Sequence, residues 1–470
     1  MNGRRAAAAA IALSLMAAIA CRSSEPIPPS MPLVIPEPER PAPAAPPDPD
    51  SEAEAEATYV VAPNGDDSAP GDEDTPLRTL ARAASLVEPG ETVVVRAGHY
   101  RGFQLEKSGT DEHPIRFLAE DGVTIDDAAS RGDGINLEGA SHIEIRGFRI
   151  EGAPRAGIRA VDCEHVTIRD NVVEKSGKWG ILTGFCDDLR ILNNEAADSV
   201  EQHGIYVGNT SERPLIQGNT MRGNRLAGLH VNGDVHMGGE GLVTEARIVG
   251  NVVYDNGRAG AAGINLDGVR DSVIANNLLH GNMATGIAVY QMDGGKPSAN
   301  NAIVHNTIVM PTQGSRWAVL LRDRAQRTTL YNNIIINQNP RRGSIVATAD
   351  SLRGLSSDAN LLTDRISVDD GESIIALSAW RELTGQDGAS REAPAAAELF
   401  VDPSGGDFRL AANSPARGAG RPLPRDLRAR ALDHMARDLA GEARPEGNAP
   451  DLGCYQAVRA EDADADAGET

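Results

Sequence analysis

A short motif recurs along the middle of the chain about every 23 residues, and this repeat limits the possible fold more than any other feature. It consists of a glycine, then Ile or Leu, then any residue and a mostly apolar position, with a degenerate copy at Ala318. Such a repeat has room for two short strands and their corners but not for a helix, which predicts one coil of a parallel β-solenoid. The glycines that begin the copies are Gly134, Gly157, Gly180, Gly204, Gly228, Gly263 and Gly286.

Each copy also carries a second strand signal that ends in Asn. Asn tolerates left-handed backbone conformations, so it suits the corners of a coil. In coils stacked about 4.8 Å apart, one Asn amide can hydrogen-bond the next and form a ladder. The handedness of parallel crossovers predicts a right-handed coil. The asparagines in this position are Asn171, Asn194, Asn219, Asn251, Asn277, Asn306 and Asn333.

The composition excludes two other classes of protein. Aromatic residues make up 3% of the chain and Gly occurs 49 times, which is unlike a helical bundle. The formal net charge of −22 argues against nucleic acid as a partner, because phosphate binding needs patches of Lys and Arg.

The N-terminus is typical of an export signal. Arg4 and Arg5 precede an apolar run over residues 6–20, which is too short to span a membrane. Cys21 stands where a bacterial lipoprotein signal places its lipidated cysteine, although Ala18-Ile19-Ala20 would also serve an ordinary signal peptidase. Residues 22–57 hold 11 of the 28 prolines and predict an acidic linker, and residues 458–470 predict an acidic tail. We therefore expect a cell-envelope protein, either an outer-membrane lipoprotein held by its lipid anchor or a secreted protein.

Segments at both ends of the repeat resemble a known superfamily. The segments beginning Tyr59-Val-Val-Ala-Pro-Asn-Gly, Pro76-Leu-Arg-Thr-Leu and Val93-Val-Val-Arg-Ala-Gly-His-Tyr resemble the opening of bacterial right-handed β-helix proteins of the pectate-lyase-like superfamily. Ala379-Trp-Arg-Glu-Leu, Asn413-Ser-Pro-Ala and Asp451-Leu-Gly-Cys-Tyr resemble its closing segment. The superfamily mixes lyases, hydrolases, epimerases and binding proteins, so the resemblance is specific for fold and weak for activity.

Repeat and resemblance together predict an all-β, single-stranded, right-handed parallel β-helix of about 10 to 12 coils. Residues 58–133 are expected to form the N-terminal cap and first coils, with a short capping helix within residues 76–87. Residues 134–350 are expected to form the central coils, and residues 351–457 an irregular closing segment.

Strand alternation predicts which side chains share a face. The first and third positions after each glycine are apolar and point inward, whereas the second and fourth point outward and stack between coils. Insertions at residues 233–247 and 291–301 should leave the same corner and form two walls beside this face. Aromatic and polar side chains between two walls favour a sugar-binding groove, but tolerated surface loops around an ordinary polar face remain the alternative. The residues placed on the face are Trp179, His203, Tyr206, His230, Asn232, Asn265, Asp267 and Tyr290.

β-Elimination from a uronic acid needs a base, an acid and a group that neutralises the carboxylate. The candidate catalytic residues are His203, His230 and Tyr206. Asp234 and Glu240, together with Asp267, are candidates for an oxygen-ligated cation such as Ca²⁺. The candidate substrate-binding residues are Trp179, Asn232, Asn265, Asp267, Tyr290, Lys178 and Lys296.

Two cysteines fall at the same position of neighbouring repeats. Cys163 and Cys186 each lie six residues after their glycine, so they should stack within disulfide reach. An oxidising envelope would permit the bond, and a pair of buried thiols is the alternative.

The sequence therefore predicts a monomeric extracytoplasmic protein that acts on a polysaccharide, with a lyase or related uronate enzyme as the first hypothesis. The alternative is a non-catalytic surface protein that binds glycan or matrix along the same face.

Overall fold

The computed structural model describes residues 56–424, 427, 435–445 and 449–457. The predicted signal peptide, Cys21, nearly all of the predicted linker and the acidic tail lie outside these residues. Among the described helices, none combines the length and the apolar character that crossing a membrane requires.

The chain winds through about 12 turns of a β-solenoid and contributes strands to three parallel sheets, called here sheets I, II and III. The motif glycines introduce sheet II, from which the chain passes to sheet I, then to sheet III, and back to sheet II one coil further on. The prediction of an all-β parallel β-helix is confirmed.

Sheet I has 12 strands: Tyr59–Val61, Thr92–Val95, Ile115–Ala119, Ile143–Arg146, Val166–Arg169, Arg190–Leu192, Leu215–Gln217, Arg247–Val249, Val273–Ala275, Ala302–Val304, Thr329–Tyr331 and Ser356–Asp358. Sheet II has 11 strands: Phe103–Leu105, Ile135–Glu138, Ala156–Glu164, Trp179–Asp187, Ile205–Gly208, Leu229–Asn232, Ile264–Asp267, Ile287–Tyr290, Val319–Leu321, Ile345–Ala347 and Ile366–Ser367. Sheet III has 12 strands: Gly98–Arg101, Val123–Asp127, Arg149–Glu151, Val172–Glu174, Glu195–Ala197, Thr220–Arg222, Val252–Tyr254, Leu278–His280, Thr307–Met310, Ile334–Asn337, Leu361–Leu362 and Arg391–Glu392.

Most coils therefore have three strands, where the repeat alone predicted two. The additional strand is the one in sheet III, which follows the ladder asparagine directly. The corner before it is one left-handed residue, such as Asp170 (φ 56°) or Asn193 (φ 54°), followed by the asparagine. A corner this short leaves no turn signal between the strands of sheets I and III, so the sequence pattern predicts one strand where the structure has two.

The interior is a stack of aliphatic side chains from all three sheets. Ile181, Ile205, Leu229 and Ile264 are register partners on successive strands of sheet II, and each is fully buried. The prediction that the first position after the glycine points inward is confirmed.

The corner asparagines form the predicted ladder. Each Nδ2 donates to the Oδ1 of the next asparagine at 2.9–3.1 Å, and each backbone N–H donates to the same oxygen at 2.9–3.0 Å. Because these groups are buried, the ladder satisfies polar atoms that would otherwise be costly to remove from water. A second ladder of Asn224, Asn256 and Asn282 runs along the corner between sheets III and II. The first ladder contains Asn171, Asn194, Asn219, Asn251, Asn277, Asn306, Asn333 and Asn360.

Short helices cover parts of the solenoid. The predicted capping helix is Leu80–Leu86, whose N-cap Thr79 accepts a hydrogen bond from the Arg82 amide at 3.1 Å. The helix Leu377–Thr384 places Trp380 at the other end, where its Nε1 donates to Asp387 at 2.8 Å. The irregular closing segment adds the helix Ala396–Leu399 and the antiparallel pair Phe400–Asp402 and Asp407–Leu410.

Replacing one asparagine in the middle of the ladder should destabilise the whole solenoid. In Asn277→Ala, the backbone N–H of Asn251 loses its acceptor, Nδ2 of Asn251 loses one of its acceptors, and the Ile248 carbonyl loses a donor. At about 1–3 kcal/mol for each unsatisfied buried group, we expect a loss of at least about 2 kcal/mol in the free energy of unfolding, measured by urea denaturation. Asn413→Ala, on an exposed side chain, is the control. Equal stability of the two variants would contradict the role assigned to the ladder.

Candidate functional site

Strand register places the predicted site residues in two outward columns of sheet II. Tyr206 pairs with His230, and His230 pairs with Asn265. In the second column, Asn232 pairs with Asp267, and Asp267 pairs with Tyr290. Coils that lie far apart in sequence thus bring their side chains together on one face.

Aromatic rings and imidazoles form a contiguous cluster on this face. The ring centroids of His203 and His230 are 4.7 Å apart, and those of Tyr206 and His230 are 5.3 Å apart. Trp179 extends the cluster, with its ring centroid 6.3 Å from that of Tyr206.

A hydrogen-bond chain determines which ring nitrogen of each histidine carries the proton. The backbone N–H of Ala227 donates to Nδ1 of His203 at 3.0 Å, so the proton of neutral His203 is on Nε2. That Nε2 lies 3.2 Å from Nδ1 of His230, which must then accept and leave the His230 proton on its own Nε2. Nε2 of His230 is 3.4 Å from the hydroxyl of Tyr290. The hydrogen bonds therefore all point the same way, from the backbone amide of Ala227, which is the first donor, to the Tyr290 hydroxyl, which is the last acceptor.

Burial keeps both imidazoles neutral. It holds the pKa of His203 well below its usual range, and the neighbouring His230 lowers it further. Burial also lowers the pKa of His230 to about 4. His203 is only 3% exposed and both its ring nitrogens are engaged, so it contacts His230 rather than the open face.

The Tyr206 ring lies flat along its strand and covers Gly208. It can do so because glycine has no side chain to occupy that space. A Cβ atom at Gly208 would be 2.2 Å from the Tyr206 ring. The flat ring brings the Tyr206 hydroxyl within 2.9 Å of Nδ2 of Asn232, which donates to it. Burial raises the pKa of Tyr206 to about 12, and the bond from Asn232 opposes that rise. Sequence reasoning did not assign Gly208 to the site, although glycines at two successive outward positions, Gly184 and Gly208, were a visible signal.

The two insertions leave the same corner, between sheets II and I, and contact each other. We call residues 233–246 wall loop 1 and residues 291–301 wall loop 2; residue 247 already belongs to sheet I. The backbone N–H of Val235 in wall loop 1 donates to the carbonyl of Asp293 in wall loop 2 at 3.0 Å. Gly295 donates in the same way to Gly241 at 2.8 Å. Wall loop 1 contains the 3-10 helix Val235–Met237 and the strand Val243–Thr244, which pairs with Ser211–Glu212 and Val269–Arg270 in a small three-stranded sheet.

Asp267 faces wall loop 2 and is 1% exposed. Its carboxylate accepts hydrogen bonds from the amides of Met292 at 2.9 Å, Asp293 at 2.8 Å and Gly294 at 3.1 Å. Burial raises the pKa of Asp267 to about 6, although the three amides oppose that rise. Its contacts are with the loop, whereas the sequence had suggested contacts with substrate.

The two predicted lysines lie at the margins of the face. Lys178 is exposed, and its Nζ lies 5.7 Å from the centre of the Trp179 ring. Lys296 is exposed on wall loop 2. Asn265 is buried beside His230 in the register of the sheet.

Asp234, Glu240 and Asp267, the residues considered for a cation, do not form one cluster of ligands. Oδ1 of Asp234 accepts the backbone N–H of His236 at 2.8 Å and caps the 3-10 helix, whereas Glu240 is exposed. In the part of the chain that the structure describes, no three His, Cys, Asp or Glu side chains form a group that could hold a metal ion. The described side chains therefore do not fit the Ca²⁺ site considered from the sequence.

Cys163 and Cys186 are register partners on adjacent strands of sheet II, as their spacing indicates. Both are buried, and both are free thiols in the structure. They point into the core and take no part in the outward face.

Acid should destabilise the protein partly through His230. The unfolded chain binds a proton at His230 near pH 6.5 and the folded chain only near pH 4, so stability is lost as the pH falls through this window. His230→Gln should remove this contribution and reduce the stability difference between pH 7 and pH 4.5 by about 2 kcal/mol. Urea denaturation at both pH values measures it, with His113→Gln, on an exposed histidine, as the control. An unchanged pH dependence in His230→Gln would contradict the assignment of a neutral buried His230.

Comparisons with known proteins agree with the coil geometry. The family model described as "Right handed beta helix region" matches residues 133–308 and 179–359, and the model described as "Pel9A-like, right handed beta helix region" matches residues 59–204. The uncharacterized protein YwoF of Bacillus subtilis (strain 168) is 27% identical over 232 residues, which are 45% of this chain and 44% of that protein. The match thus spans less than half of the length of this curated relative.

Two solved structures share the architecture along most of their length. The crystal structure of pectate lyase Pel9A has a TM-score of 0.57 at 17% identity, covering 85% of this chain and 96% of Pel9A. The complex structure of XylC with xylose has a TM-score of 0.51 at 10% identity, covering 85% and 98%. The likeness at these identities is one of fold. Together with the family models, it identifies the chain as a right-handed parallel β-helix protein.

Proposed function

We propose that the protein acts on a polysaccharide along sheet II and cleaves it by β-elimination. The observation that carries the proposal is that the Tyr206–Asn232 hydrogen bond stands directly beside the neutral His230–Tyr290 pair. One side of the cluster can accept a proton and the other can donate one, as elimination requires.

Tyr206 is the proposed base. The hydrogen bond from Nδ2 of Asn232 favours the phenolate form, whereas burial opposes it and raises the pKa of Tyr206 to about 12. Once the Tyr206 proton has left to solvent, the phenolate would remove the proton from C5 of a uronic acid. The electron pair of that C–H bond then forms the double bond between C4 and C5, and the bond from C4 to the leaving oxygen breaks.

His230 and Tyr290 form the proposed acid side. His230 presents its proton on Nε2 towards the Tyr290 hydroxyl. Tyr290 can therefore donate its own proton to the leaving oxygen, because the hydrogen bond from neutral His230 stabilises the Tyr290 phenolate that forms, and water then restores the Tyr290 proton. His203 then acts as a positioning residue, because its hydrogen bond holds His230 in the tautomer that donates.

The substrate carboxylate needs a hydrogen-bonding partner, because its charge rises as the C5 proton leaves. Asn265 is the proposed partner, since it stands in the outward column beside His230, whereas the side-chain amide of Asn232 already bonds Tyr206 and Asp293. Trp179 is the proposed platform for a neighbouring sugar ring, with the ammonium of Lys178 over its ring and Lys296 on wall loop 2. The proposed steps use side chains of this chain alone.

Two comparisons support a polysaccharide substrate. One of the solved structures of the same fold is named pectate lyase Pel9A, and a family model that matches residues 59–204 is described as Pel9A-like. A polysaccharide partner agrees with the envelope location expected from residues 1–21. We retain that location as part of the proposal, together with lipidation at Cys21 and a monomeric state.

Binding of a glycan without cleavage is the second candidate function. Besides burial, the charges of Asp234, Asp293 and Asp267 raise the pKa of Tyr206, and the same charges would repel a polyuronate. A neutral glycan avoids this repulsion and could still use Trp179 and Tyr206 as apolar platforms.

The full chain should be incubated with a panel of acidic and neutral polysaccharides, with and without a chelator. Elimination gives unsaturated uronate products that absorb ultraviolet light, whereas hydrolysis gives only new reducing ends. Tyr206→Phe and Tyr290→Phe should each lower kcat by a factor of about 10² to 10⁴, because each removes one proton-transfer group. Tyr331→Phe on sheet I is the control and should retain wild-type turnover. Glycan retention with no product would favour the binding function, and wild-type rates in both site variants would reject the assignment of base and acid.

Gly208→Ala tests the arrangement of the site without removing a functional group. The added Cβ would displace the Tyr206 ring and break its hydrogen bond with Asn232, so turnover or glycan retention should fall about tenfold or more. Gly184→Ala in the same column is the matched control, because its Cβ would meet only the end of the Asn209 side chain. An equal effect of both substitutions would show that the flat position of Tyr206 is irrelevant.

A further inference from the structure

We propose that Asp267 is a positioning residue whose buried carboxylate anchors wall loop 2 and so fixes Tyr290 and Asp293 at the site. The inference rests on the proposed function for its catalytic consequence, but the anchoring itself can be measured separately. It gives Asp267 a role in holding the loop instead of the substrate contact expected from the sequence.

The Asp267 carboxylate accepts several hydrogen bonds from one turn of wall loop 2. Three successive backbone N–H groups, those of Met292, Asp293 and Gly294, donate to its two oxygens at 2.8–3.1 Å. Asp267 is buried, so water cannot replace these bonds without moving the loop. The residue lies at the end of the strand Ile264–Asp267, and the rigid strand thereby holds the irregular loop.

Two glycines allow the loop to come close enough for these bonds. A Cβ at Gly294 would be 2.5 Å from the Cα of Gly268, and Gly268 itself has a φ of 64°. At the other end of the loop, the Ser298 hydroxyl donates to the carbonyl of Tyr290 at 2.8 Å and closes the segment back onto its own strand. Wall loop 2 is therefore held at two places, at residues 292–294 by Asp267 and at Ser298 by the Tyr290 carbonyl.

The anchored segment carries groups that face the proposed chemistry. Tyr290 is the residue directly before wall loop 2, and its hydroxyl lies 3.4 Å from Nε2 of His230. Asp293 contacts Asn232, and burial together with the charge of Asp234 raises its pKa. A loop released from Asp267 would move Asp293 away from Asn232 and loosen the Tyr290 end of the proton-donating chain.

Amide hydrogen exchange at single-residue resolution tests the anchor in the full chain. In Asp267→Ala, the amides of Met292, Asp293 and Gly294 should exchange at least tenfold faster. In Asp267→Asn, one oxygen can still accept from Met292 and Gly294, so the increase should be confined to Asp293. Gly294→Ala should speed exchange at Met292 and Asp293 while leaving the carboxylate in place. Asp121→Ala, on an exposed side chain, is the control.

Turnover of these variants tests the positioning role. We expect kcat to fall about 10- to 100-fold in both Asp267→Ala and Gly294→Ala, with a smaller change in KM. Unchanged exchange at the three amides in Asp267→Ala would overturn the proposal, as would faster exchange with unchanged kcat. If the wild-type protein neither cleaves nor retains any glycan, the proposed function fails, and the exchange measurements alone then decide whether Asp267 anchors the loop.

Discussion

The hydrogen-bonded stacking of identical corners is the constraint on which the rest of this structure depends. Each ladder asparagine bonds the next through both its backbone N–H and its Nδ2, and this holds successive coils in one register. Because the side-chain period of a strand is two, a register error of one residue would exchange the apolar interior for the outward columns. The regular corners thus make it possible to place side chains from distant parts of the sequence next to one another on sheet II.

The rigid coil also allows polar groups to be buried close together on an outer face. Burial keeps His203 and His230 neutral, and their ring nitrogens are hydrogen-bonded in a chain that runs from a backbone amide at one end to a hydroxyl at the other. Unpaired, such groups would be expensive to bury, and in a mobile loop they could not keep this geometry. Asp267 is likewise buried with its hydrogen bonds satisfied, because its two oxygens accept from three backbone amides of wall loop 2. The carboxylates of Asp234, Asp267 and Asp293 act together on Tyr206, which bears on the charge of any ligand proposed for this face.

The two long insertions of the central coils adjoin the candidate site. Both long insertions leave the corner between sheets II and I, and they bond to each other through Val235 and Asp293 and through Gly241 and Gly295. The ladder corner, between sheets I and III, keeps its spacing in the same coils. A chain of this type can therefore acquire loops around one face without disturbing the hydrogen bonds that hold its coils in register.

The sequence by itself determined the architecture, the inward and outward positions and the columns of the candidate site. It could do so because a repeat of fixed length converts distance along the chain into position on a sheet, as for Tyr206 and His230. It missed the sheet III strand, because a single left-handed residue such as Asp170 separates it from the strand of sheet I. Only the tertiary structure decided the roles within the columns: that His203 lies beneath His230, that Gly208 lets Tyr206 lie flat, and that Asp267 turns to the loop. These roles depend on side-chain direction and on contacts between loops, which have no period and therefore leave no pattern in the sequence.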